Sequence, residues 1–242
     1  MGQRVGIFAG FIAALLIAGG LTAAGWFVGQ GIVENRTADR FVTVKGLAER
    51  DVTADLAVWP ITIVASGDGL EATQSEIETD IGALTAFLVD AGFDAGEIAL
   101  GRIQVEDRVA MGYYDPNRAQ ARYLIRQPLR VRSDKVELVE RMSRRLGDVV
   151  RQGVVMQDWQ GPSYIFSRLN DIKPEMLAEA TANARDAAQQ FADDSGAELA
   201  GIRTANQGVF VILPRDRVAG ASESDQVDKT VRVVATITYA LN

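Results

Sequence analysis

Residues 41–67, FVTVKGLAERDVTADLAVWPITIVASG, decide the fold of this chain. Two runs within it, FVTVKGLAE (41–49) and VTADLAVWPITIVASG (52–67), are rich in β-branched and aromatic residues and are separated by Arg50 and Asp51. They read as neighbouring strands. Pro60 has no N–H to give to a ladder, which implies an edge or a bulge in the second strand. From 68 to 91 the period lengthens to that of a helix. Ile77, Ile81, Leu84, Leu88 and Ala91 fall on one stripe, Glu71, Glu76, Glu78 and Asp80 lie largely elsewhere, and Gly92 is the stop.

The same order recurs downstream. Strands near 98–109 and 121–132 flank a turn-rich tip, YYDPNRAQ, and a helix follows from a Ser133 N-cap with Val136, Val139, Met142, Leu146 and Val149 inward. Shorter strands near 153–157 and 162–168 precede a third helix over 172–195. Pro174 lies in its first turn, Leu177, Ala180, Ala184 and Phe191 lead an Ala-rich inner face, and Gly196 caps it. The chain closes with strands near 201–213 and 228–241. The expected order is ββα, ββα, ββα, ββ. Strand pairs followed by helices favour an α+β fold of repeated ββα units with mainly antiparallel sheets over a doubly wound nucleotide fold.

Ahead of this body, Val5 to Val33 carries no charged side chain. As a helix the run is about 43 Å long at ~1.5 Å per residue, enough for one span of a roughly 30 Å hydrocarbon layer. Trp26 and Phe27 suit an interfacial anchor near its far end. The competing reading is a cleaved secretory signal, which the length disfavours. The expected organisation is a transmembrane anchor with a short cytoplasmic tail at 1–33, a polar linker at 34–40 and one domain over 41–242. Positive charges alone leave orientation open, because Arg36, Arg40, Lys45 and Arg50 follow the span while only Arg4 and the amino terminus precede it. Small residues at Gly2, Gly6, Gly10, Ala14, Ala18 and Thr22 recur every fourth position. Such spacing lets helices approach closely in lipid, and it is equally the ordinary composition of a membrane helix.

Composition narrows the chemistry. The 242 residues contain no Cys and no His and carry a formal net charge of −7. Thiolate nucleophiles, Cys/His zinc sites and imidazole bases are absent, and an acidic surface disfavours nucleic acid as a partner. Ser66-Gly67-Asp68-Gly69 between strand and helix lacks the phosphate-loop patterns and reads as a turn with an N-cap. Glu71, Glu76, Glu78 and Asp80, like Asp193-Asp194, lack a calcium-loop spacing and read as solvated helix faces. Ser133-Asp134-Lys135 holds the parts of a Ser/Lys pair without its spacing. Tyr113, Tyr114 and Pro116 form an aromatic tip that either inserts into a neighbouring subunit or folds back on its own sheet. No catalytic, cofactor-binding or metal-binding residue is assigned, and no enzyme activity or cofactor is expected.

FVTVKGLAERDVTADLAVWPITIVASG, Tyr164-Ile165-Phe166-Ser167, AEATANARDAAQQFADDSGAELAGI and VRVVATITYAL together resemble the SIMPL domain, a bacterial periplasmic and outer-membrane-associated family of unknown function. The resemblance implies an exported α+β domain over roughly 41–242, with the body in the periplasm and the anchor in the inner membrane. It also implies homo-oligomerisation into a large ring or barrel and a link to oxidative stress. A retained anchor departs from the cleaved signal common in that family. The expected function is thus a single-pass, periplasm-facing structural protein, with the membrane (through 5–33) and itself as partners. The alternative is a binding module for an envelope peptide or lipid.

Overall fold

An uninterrupted antiparallel pairing joins the second strand of the decisive stretch, Leu56–Gly67, to Tyr123–Ser133. It was read from a computed structural model that describes residues 18–26, 40–112, 115, 120–157 and 161–242. In order, these form a helical stretch at 18–26 (α1), β1 (Phe41–Thr53), β2 (Leu56–Gly67), α2 (Leu70–Asp90), β3 (Ile98–Leu100), β4 (Gln104–Asp107), β5 (Tyr123–Ser133), α3 (Val136–Ser143) and α4 (Gly147–Val150). There follow β6 (Met156–Gln157), β7 (Ser163–Ile165), α5 (Leu169–Ser195), β8 (Leu199–Gln207), β9 (Val211–Pro214) and β10 (Asp228–Leu241). One sheet runs β1-β10-β8 with β9 also on β10, and the other runs β3-β5-β2-β6 with β4 on β5 and β7 on β2. Mainly antiparallel pairing makes this an α+β fold. The expected transmembrane run lies mostly outside the described residues. Among those described, no helix is long and apolar enough to cross a membrane.

The element order departs from strict ββα repetition. Among the described residues three strands lie between α2 and α3, because the expected strand at 98–109 is broken at Gly101, whose N–H donates to the carbonyl of Pro128 at 2.7 Å. A Cβ on Gly101 would stand 3.2 Å from Pro128 Cβ. The strand expected at 201–213 is likewise divided into β8 and β9.

The chain forms two compact units. The larger comprises Glu49–Pro174 and Val211–Arg232. In it, β2 and β5 pair without interruption from Ala57 opposite Ser133 to Gly67 opposite Tyr123. Trp59, Ile61 and Ile63 of β2 with Ile125, Leu129 and Val131 of β5 point to one face, where they are buried with Ile77, Leu84 and Leu88 of α2 and Val139 and Val149 of the α3–α4 segment. Burying each such side chain contributes roughly 1.5–3 kcal/mol. Pro60 is in an interior strand, contrary to the edge placement its chemistry suggested. Its nitrogen faces the same flank as the N–H of Val64, which donates to Val155. On that flank β7 pairs only 56–58 and β6 only 62–63, so Pro60 occupies the gap between partners and removes no ladder bond. Pro128 sits in the corresponding gap between β3 and β4 on the outer side of β5.

The smaller unit comprises the described residues of Met1–Ala48, Glu175–Phe210 and Val233–Asn242. Met176, Ala180, Ala184, Ala188 and Ala192 of α5 form a fully buried stripe in steps of four. Leu177 and Phe191, expected on this inner face, are displaced from it; Phe191 is 60% exposed. The stripe must be small because the helix lies on the backbone of β1. A Cβ on Gly46 would collide with the carbonyl oxygen of Ala180 and the amide of Ala184, and would stand 2.8 Å from Ala184 Cβ. Gly46→Ala should therefore lower the unfolding free energy by about 3 kcal/mol, read by urea denaturation. A loss below about 0.5 kcal/mol, the ordinary effect of a surface change, contradicts this close packing.

Candidate functional site

In the larger unit, five separate segments surround a cleft of about 1720 Å³. The end of β1 gives Thr53, the turn after α2 gives Gly92, and α3 gives Glu137, Glu140, Arg141 and Arg144. Ser163 and Tyr164 come from β7, and Asp216 and Gln226 from the loop before β10. On this wall the α3 segment carries two Glu followed by two Arg because its opposite side, Val136, Val139 and Met142, is committed to the core. Glu140 pairs with Arg144, and Glu137 lies 3.8 Å from Arg141.

Tyr164 is the largest buried group on the wall, 5% exposed. Burial, reinforced by the Glu140 charge and opposed by Arg144 and a hydrogen bond with Ser143, pushes its hydroxyl up to about 12. The phenol therefore stays protonated at neutral pH and offers a donor, not a nucleophile.

Ser133 and Lys135 do not form a catalytic pair. Lys135 Nζ donates to the Gly92 carbonyl at 3.0 Å, to Asp94 at 2.8 Å and to Glu97 at 3.2 Å. The hydrogen bond to Asp94 above all raises its pKa against the opposing effect of burial, so the ammonium keeps its proton. Ser133 is not the N-cap, a place taken by Lys135; its Oγ accepts the N–H of Lys135 at 3.0 Å. The lysine stays a charged donor to two carboxylates, and a protonated ammonium cannot act as a base toward the hydroxyl.

The other sequence candidates are separate. Gly69 caps α2 without a side-chain bond, and Asp68 accepts the N–H of Arg122 at 3.1 Å. On α2, burial and the charge of Glu76 raise the Asp80 carboxyl above the usual range. Asp193 and Asp194 accept hydrogen bonds from Gln189 and Gln190 one turn earlier on α5. No group of three or more carboxylates arranged for a metal ion occurs among the described residues. Tyr113, Tyr114 and Pro116 lie outside those residues.

The match to known families decides what this chain is. The family model SIMPL, described as a protein of unknown function (DUF541), covers residues 42–239. The chain belongs to the SIMPL family. No curated protein matches the sequence.

Two polar nodes of this SIMPL domain escaped sequence reasoning. Asp55, in the turn between β1 and β2, accepts the N–H of Ser167 at 2.8 Å, the Ser167 hydroxyl at 3.1 Å and Arg168 Nε at 3.0 Å. Lys229 is fully buried, and Glu223 receives its ammonium through both carboxylate and backbone carbonyl. Its alternation with Val231 and Val233 on the inner side of β10 was the available signal. The partner lay in a loop whose path no pattern foretells.

Burial works to raise the pKa of Asp55, but the bonds from Ser167 and Arg168 outweigh it and hold the carboxyl below its usual 3.8. A depressed folded-state pKa means the stabilisation is present above the unfolded value and is lost as pH falls through the folded one. Asp55→Asn should therefore destabilise the protein at neutral pH, and its deficit against wild type should narrow on acidification to about pH 3. Urea denaturation at both values checks this; a deficit that widens in acid contradicts it.

Proposed function

We propose that this SIMPL protein is a non-catalytic, membrane-anchored structural protein of the bacterial envelope that assembles with copies of itself into a large ring or barrel. Residues 5–33 anchor it in the inner membrane, the body faces the periplasm, and its task concerns envelope or oxidative stress. Orientation, ring-like assembly and stress link come from the family resemblance; the uncharged run argues for the anchor.

The observation that carries assembly is the edge at β8. Every residue from Gly201 to Gln207 is exposed, and β8 pairs only with β10 among the described residues. Its two register shifts lie between Thr204 and Leu199, leaving Thr204–Gln207 regular. There Asn206 faces Thr236, and the following Gly208 donates to Val234, so the N–H groups of Ala205 and Gln207 point outward. The charge that would guard this edge is turned away, with Arg203 lying over the Phe41 ring at 5.5 Å. By contrast the outer edge of β1 is blocked at its centre, where Asn183 Nδ2 donates to the Leu47 carbonyl at 2.8 Å. An open regular edge beside a blocked one favours addition of a strand from another copy.

A second reading, a binding module for an envelope peptide or lipid, is favoured by the 1720 Å³ cleft. Mass measurement of the full chain in mild detergent separates the readings. Assembly predicts a multiple of the 26.1 kDa chain. A strict monomer at micromolar concentration overturns it, and a monomer carrying extra mass that denaturation releases favours the binding module.

A further inference from the structure

The six-stranded sheet is packed by helix α2 on one face. Its inner face carries Ile61, Ile63, Ile125 and Leu129 under α2. On the reverse face of β5, Arg130 stands opposite Pro60 and Arg132 opposite Val58. Pro60, Arg130 and Arg132 are exposed. Arg126, on the same face, is already held by Glu106 at 3.0 Å and by Gln157 at 2.8 Å. Arg130 and Arg132 have no ion pair or hydrogen-bond partner among the described residues. The chain thus presents two like charges side by side, about 6.6 Å apart along the strand, on an open and partly apolar surface.

The opposite arrangement occurs on α2. This helix carries Glu71, Glu76, Glu78, Asp80 and Asp90 and no basic residue. Glu76 and Asp80 are one turn apart, about 5–6 Å between their Cβ atoms, and no cation relieves them among the described residues. Burial first, and the charge of Glu76 second, raise the Asp80 carboxyl. Two unrelieved pairs of opposite sign, of nearly equal spacing, therefore lie on opposite sides of the same sheet.

We infer that the reverse face of this sheet receives helix α2 of a second copy, with Arg130 and Arg132 meeting the carboxylates of Glu76 and Asp80. The inference rests on the self-assembly reading and names one of its interfaces. Because donor and acceptor surfaces lie front and back of one unit, the contact is head to tail. Each copy offers a free helix to the next, so the contact propagates until rotation closes a ring. Charge complementarity selects a second copy: the acidic helix and the basic face are carried by the same chain, and both repulsions are relieved in one contact.

The test uses two full-length variants in mild detergent, R130E/R132E and E76R/D80R, alone and mixed in equal amounts. All four positions lie outside the buried core, so circular dichroism should match wild type. Each variant alone should associate at least about tenfold more weakly than wild type. Mixed, the acidic reverse face of one variant meets the basic helix of the other and assembly should return. Variants that assemble like wild type overturn this interface while leaving self-assembly intact. Variants that stay apart when mixed overturn the pairing as well, because their loss then has another cause. A monomeric wild type removes the assembly reading itself.

Discussion

The uninterrupted ladder between β2 and β5 is the constraint on which the larger unit depends. Its pairing from Ala57 to Gly67 fixes the direction of every side chain on both strands, since a slip by one residue would turn Trp59, Ile61 and Ile63 out to water. The helices then have only one apolar face to cover. The short strands on either flank are consequences too: both central strands carry a proline where their outer partner changes, so the ladder stays whole while its neighbours are divided. The reverse side carries the exposed Arg130 and Arg132, without an ion-pair partner among the described residues.

The smaller unit solves a different problem. A helix set close enough to a strand to collide with any Cβ at Gly46 cannot carry large inward side chains, and α5 answers with Met176 followed by four alanines. Close backbone approach replaces bulk as the source of contact. Phe191 of the same helix and Ile202 of β8 are left exposed.

Elements with a clean period were legible in the sequence. The final strand was expected at 228–241 and runs Asp228–Leu241; the inward residues of α3 and α4 were named correctly although the helix is broken at 144–146. Periodicity failed where a tertiary contact decides. Gly101 divides a strand because Pro128 lies against it, and Phe191 loses its inner place to alanine because β1 lies too near. Membership in the SIMPL family was readable from patterns of apolar, Ala and Gly positions alone. The cleft was not readable, since it is gathered from five segments with no shared motif. Asp55 meets Ser167 across 112 residues, and Lys229 meets Glu223 in the irregular loop just before its own strand.

We propose that this fold leaves sheet surfaces which another copy completes. Hydrogen exchange of the full chain over a range of concentrations tests it most directly, because the outward N–H groups of Ala205 and Gln207 have no partner within β10. These two amides should become protected as concentration rises, approaching the inward-facing Asn206. Exchange at the same unprotected rate at every concentration, in an otherwise folded protein, would contradict it.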